Sequence, residues 1–109
     1  MQLVYFETTR PDHELDDVHH RVVADMRALA ESIDGFVMWR DATEGLRYWG
    51  VVMFETEAGA LAWRDHPDHA RIHQESRGRL YSSFRTLAFD SVREASFEAT
   101  GPDGDAQTS

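Results

Sequence analysis

Apolar residues recur at Leu15, Val18, Val22, Met26, Leu29 and Ile33, in steps of three and four that lie on one face of a helix. The segments on either side change period. Gln2-Leu3-Val4-Tyr5-Phe6-Glu7-Thr8 is short, β-branched and aromatic, and it ends at Thr9-Arg10-Pro11-Asp12, where proline and aspartate interrupt it. Asp12 is the expected N-cap of the helix and Gly35 its stop. Phe36 to Arg40 reads as a second strand, Asp41 to Gly45 as a turn, and Leu46 to Glu55 as a third strand. In that third strand Arg47, Trp49, Val51 and Met53 share one face, and Tyr48, Gly50, Val52 and Phe54 share the other. Both faces are bulky, so alternation separates them without saying which one turns inward.

Thr56 can cap a second helix through Ala58, Leu61, Ala62 and Trp63, and Pro67 suits the first turn of a further helical segment reaching Arg77 and closed by Gly78. Leu80 to Phe89 is the fourth strand, and Val92 to Phe97 a short edge segment. Residues 99–109 have the composition of a tail, leaving 1–98 as one domain. The order βαββαβ predicts an α+β, ferredoxin-like fold: a four-stranded antiparallel sheet with its helices on one face. The other face is then bare and apolar, which predicts a homodimer.

Composition narrows the function. The 109 residues contain no cysteine, which removes disulfides, thiolate nucleophiles and cysteine metal sites. Twenty acidic residues against 11 basic ones, all arginine, give a formal net charge of -9. That charge opposes binding to nucleic acid or to an anionic membrane face. Apolar runs such as Val51 to Phe54 are too short to span a bilayer, and Met1-Gln2-Leu3 has no basic leader, so a cytoplasmic protein is expected.

The densest group of chemically useful side chains is Trp63-Arg64-Asp65-His66-Pro67-Asp68-His69-Ala70-Arg71-Ile72-His73. His69 and His73 are four apart and share a helix face; His66 joins them only if Pro67 leaves the turn unbroken. No third ligand completes a metal site, so none is expected. Trp63 is either core or the wall of a pocket for a flat apolar ligand, with Tyr5, Trp39, Trp49 and Tyr81 as further walls. The adjacent His19 and His20 point apart, and surface positions are expected for both. No phosphate loop or nucleophile elbow is present.

Phe54-Glu55, Ala58, Ala62-Trp63, His66-Pro67-Asp68-His69, Gly78-Arg79 and Tyr81 through Phe84-Arg85 together resemble the antibiotic biosynthesis monooxygenase family across about residues 3–92. The resemblance implies a dimeric α+β barrel. It also implies oxidation by O2 of an electron-rich aromatic: a phenol, a hydroquinone or a polycyclic polyketide. In that picture His69 or His73 is the base, and Arg40 or Arg85 partners the oxyanion. Trp63, Tyr5, Trp39, Trp49, Tyr81 and His66 hold the substrate. No tightly bound cofactor is implied, with reduced flavin from a flavin reductase as an alternative.

Haem-degrading members also resemble this chain, through the ten-residue spacing of Trp63 and His73, which makes His73 the haem ligand of that alternative. Those members carry an Asn near the end of strand one, where Glu7 or Thr8 stands here. Anthrone oxygenases end strand three in Trp with an Asn four residues earlier, where Phe54 and Gly50 stand here. A non-catalytic dimer that binds aromatics is the alternative from outside enzymology.

Overall fold

The computed structural model describes residues 1–76 and 79–99. The order is β1 (Gln2–Thr9), α1 (Asp16–Ser32), β2 (Phe36–Glu44), β3 (Arg47–Phe54), α2 (Glu57–Arg64), α3 (Pro67–Ser76) and β4 (Ser83–Asp90). The strands form one antiparallel sheet in the order β2-β3-β1-β4, with the helices on one face, as the βαββαβ pattern predicts.

Local chemistry moves several boundaries. The side chain of Asp12 accepts from the Glu14 amide, 2.9 Å away, in an Asx turn, and α1 starts four residues later, at Asp16. Asp16 and Asp17 place negative charge on the first turn of α1, which the helix dipole favours. Gly35 lies in the Ile33–Phe36 turn beyond the helix end. β2 continues through Glu44, so the expected five-residue turn shrinks to Gly45-Leu46; Gly45 has φ 58°, which two-residue hairpin loops require and β-carbon-bearing residues resist. Thr56 caps α2 as expected, accepting from the Gly59 amide.

Pro67 opens a separate helix. His66 caps it, its carbonyl accepting from Ala70 and its Nδ1 from the Asp68 amide at 3.0 Å. The expected stop at Arg77 and Gly78, and residues 100–109 of the expected tail, lie outside the described residues. β4 begins at Ser83 rather than Leu80. Val92 to Phe97 forms no strand: Val92 is 93 % exposed and buries nothing that could hold an added edge.

A bulge between Phe36 and Met38 sets the inward face of β2. Phe36 pairs with Phe54 and Trp39 with Val52, so two residues of opposite parity both face the helices. They join Ala30, Val52, Phe54, Ala60 and Trp63 in the core. The indole N–H of Trp63 donates to the Met26 carbonyl, 3.2 Å away, tying α2 to α1. No helix among the described residues is long and apolar enough to cross a membrane.

Candidate functional site

The helix-facing residues of β1 are Gln2, Val4, Phe6 and Thr8, and between them and α1, α2 and α3 lies a cavity of about 590 Å3. Phe6, Trp39 and Trp63 form its aromatic wall, with ring centroids 5.2 to 6.4 Å apart. The edge of the Phe6 ring lies over Gly50. A β-carbon at position 50 would overlap the Phe6 ring, so the missing side chain makes room for an aromatic one.

His69 and His73 both line this cavity from α3. The His69 ring stands edge-on to Trp63 at 4.6 Å and parallel to His73 at 6.3 Å, and His73 meets Phe84 at 4.9 Å. The shared helix face expected of a four-residue spacing is therefore present. Burial, reinforced by the neighbouring His73, pushes the His69 pKa down to about 4, so its imidazole is neutral at pH 7. Neither of its ring nitrogens has a hydrogen-bond partner among the described residues.

Tyr48 and Tyr81 supply hydroxyls to the same walls. Tyr48 donates to Asp41 Oδ2 at 2.9 Å, and the Trp39 indole donates to the same oxygen at 3.2 Å, so one carboxylate pins two walls. Burial and that carboxylate hold the Tyr48 hydroxyl well above the usual phenol range. Burial pushes Tyr81 up to about 12, and its hydroxyl lies 2.9 Å from His19 Nδ1.

His19 corrects the sequence reading. Expected at the surface, it is 1 % exposed and packed edge-on against Tyr48 and Tyr81. The spacing held the signal: His19 is four residues after Leu15 and three before Val22, on the border of the apolar stripe. Arg10, which no sequence pattern marks, is 3 % exposed, donates to Asp16 at 3.0 Å and to the Gly45 carbonyl at 3.3 Å, and leaves Nη1 without a partner among the described residues.

The structure brings together Trp63, Trp39, Tyr81, His69 and His73 from the expected set, and it separates the others. Tyr5, Arg40, Trp49 and Arg85 have the opposite strand parity, so they lie on the far face of the sheet, away from the cavity. There Tyr5 donates to Glu7 at 2.7 Å and Arg47 lies over Trp49 at 5.8 Å. His66 is absent from the cavity wall because its ring caps α3. Among the described residues no group of three or more His, Asp or Glu side chains is placed to hold a metal ion.

No protein-family model and no curated protein matches the sequence. Solved structures do match. One from Deinococcus radiodurans, provisionally named an antibiotic biosynthesis monooxygenase, superposes with a TM-score of 0.76 at 7% identity over 90% of this chain and 99% of its own. A variant of SnoaB from Streptomyces nogalater, described as a cofactor-independent oxygenase, gives 0.69 at 14% identity over 85% and 95%. A dimeric ferredoxin-like protein of unknown function from Thermobifida fusca gives 0.62 at 19% identity over 82% and 90%. At these identities the likeness is one of fold. The chain has the fold of the antibiotic biosynthesis monooxygenases, as its sequence motifs imply.

Proposed function

We propose that the protein is a monooxygenase that oxidises an electron-rich aromatic with O2 in the cavity between sheet and helices. The observation that carries this reading is His69, a half-buried, neutral imidazole edge-on to Trp63 in a chamber walled by aromatic rings. A phenol lying along Trp63 would present its hydroxyl to a base with no competing partner among the described residues. Burial disfavours the imidazolium alone, but the phenolate formed beside it offsets that penalty. The electron-rich anion then passes an electron to O2, and the radicals recombine into a carbon–oxygen bond. One oxygen atom stays as a carbonyl on a ring carbon, which gives up its hydrogen while the phenol gives up its hydroxyl proton, so the phenol becomes a quinone, and the other oxygen leaves as water with those two hydrogens. The substrate supplies all the electrons, so the balance closes without a bound reductant. The apolar wall keeps water from the reacting pair.

Among the described residues the wall does not fit a haem or a flavin phosphate. Either group carries acidic substituents that cations would hold, and the arginine these residues place on the wall, Arg64, is held by Asp65 at 2.9 and 3.2 Å. The resting His73 ring also lies between His69 and Phe84, where a macrocycle on His73 would displace both.

The far sheet face carries Leu3, Val51, Met53, Leu87 and Phe89 in register, and Phe89 is 53 % exposed. A second copy of the chain covering this face completes the dimeric α+β barrel, in keeping with the relative described as dimeric.

Oxygen uptake with anthrones and hydroquinones tests the activity. Uptake that disappears in His69→Ala, with the fold intact by circular dichroism, supports the reading. Undiminished uptake in His69→Ala removes His69 from it, and aromatic binding without any uptake favours a non-catalytic binding protein.

A further inference from the structure

Gln2 lines the cavity from the helix-facing side of β1 and is only 8 % exposed. A buried amide has both donors and acceptor lone pairs to satisfy. Its donors are taken: Nε2 gives to Asp90 Oδ1, at the end of β4, at 3.0 Å and to Glu57 Oε2, at the start of α2, at 3.5 Å. This fixes which way the amide points, since the reverse would set its carbonyl oxygen against two carboxylates. Oε1 is therefore turned away from both, and no described residue donates to it. It also differs from Thr8 Oγ1 on the same strand face, which is sealed without a partner, because the Gln2 oxygen is not sealed.

Tying β1 to β4 and α2 does not by itself explain a glutamine. Lysine or arginine would bond the same carboxylates through charge-assisted hydrogen bonds, roughly twice as strong as neutral ones. What the amide has and they lack is an acceptor. Donating to carboxylates also polarises the amide, which strengthens its oxygen as an acceptor. The position of Gln2 relates this oxygen to the proposed base. Gln2 lies opposite Phe54 across the β1–β3 ladder, Phe54 packs 6.1 Å from Trp63, and Trp63 in turn meets His69 at 4.6 Å.

We propose that Gln2 sets the specificity of the cavity, its carbonyl oxygen accepting a hydrogen bond from a hydroxyl or ring N–H at the end of the aromatic remote from His69. The inference rests on the reading of the cavity as an aromatic site and adds a chemical requirement to it: the preferred ligand lies along Trp63 with a donor at each end. A ligand that carries a methyl ether at the second position covers the Gln2 oxygen without pairing it, which costs the desolvation of that oxygen.

Calorimetric titration under argon with naphthalene-2,6-diol and with 6-methoxy-2-naphthol tests this without turnover. The diol should bind about tenfold more tightly, the size of one net hydrogen bond. Gln2→Met removes the acceptor, and Gln2→Lys removes it while keeping the bonds to Asp90 and Glu57, so both variants should bind the two ligands with equal affinity. Equal affinity in the unmodified protein, or a preference for the diol that survives in either variant, overturns the role of Gln2 and leaves the aromatic cavity standing. Failure of both ligands to bind the unmodified protein overturns the cavity reading and the role of Gln2 with it.

Discussion

The hydroxyl of Tyr81 and Nδ1 of His19 are 2.9 Å apart, which joins a residue on the cavity wall to an imidazole sealed behind it. Burial, with Arg10 and His20 adding to it and Asp16 opposing, holds the His19 pKa down at about 4. The unfolded chain protonates this ring near 6.5 and the folded chain does not, so the unfolded state binds more protons between those values. The His19 contribution to stability is therefore fully present above pH 6.5 and is lost as pH drops towards 4. That contribution is about 3 kcal/mol. Urea denaturation at pH 7 and at pH 4 should show that His19→Phe loses less stability than the unmodified protein over this interval. Parallel losses would contradict it.

The same reasoning applied to catalysis concerns His69, whose depressed pKa keeps the base form present across the neutral range. In the proposed reaction kcat/KM should stay level as pH is lowered through 6.5 and decline only near pH 4, with full recovery on return to neutrality. An acid limb centred near 6.5 in initial-rate profiles would assign the proton transfer to a different group.

Gly50→Ala sets a β-carbon against the Phe6 ring, which can move only into the cavity. Overpacking of this kind costs about 1–3 kcal/mol. The melting temperature should drop, and affinity for a bulky aromatic should fall more than affinity for a single ring. Unchanged binding of both would show that Phe6 does not set the size of the chamber.

On the far face of the sheet, a charge at Val51 or Phe89 should prevent two copies from packing together. Sedimentation of Val51→Glu and Phe89→Asp should give monomers with unchanged far-ultraviolet circular dichroism. The side chains at these two positions point away from the helices, so a collapsed spectrum would contradict the placement of that face.

Periodicity made the frame legible, because a three-and-four stripe followed by alternating strands admits few topologies. It resolved less about the site. Trp49 and Tyr48 are adjacent, aromatic and equally suited to a strand, and only the packing of helices on one side sends Tyr48 to 4 % exposure and Trp49 to the other face. Trp39 points inward through a bulge that residue identity does not announce. Tyr5 and Arg85 fall on the far face for the same reason, since a sheet apolar on both faces gives no rule for choosing between parities. His66 resembled a third functional imidazole by spacing, but the proline beside it converts the ring into a helix cap.

The break at Asp65 and His66 separates two kinds of mutational tolerance. Trp63, before the break, is knitted into α1 and the sheet, so substitutions there threaten the whole domain. His69 and His73, after it, lie on a helix that packs mainly on α1. A lineage could therefore change the ten residues of α3 and alter what the chamber accepts, while inheriting an unaltered scaffold from the residues before Asp65.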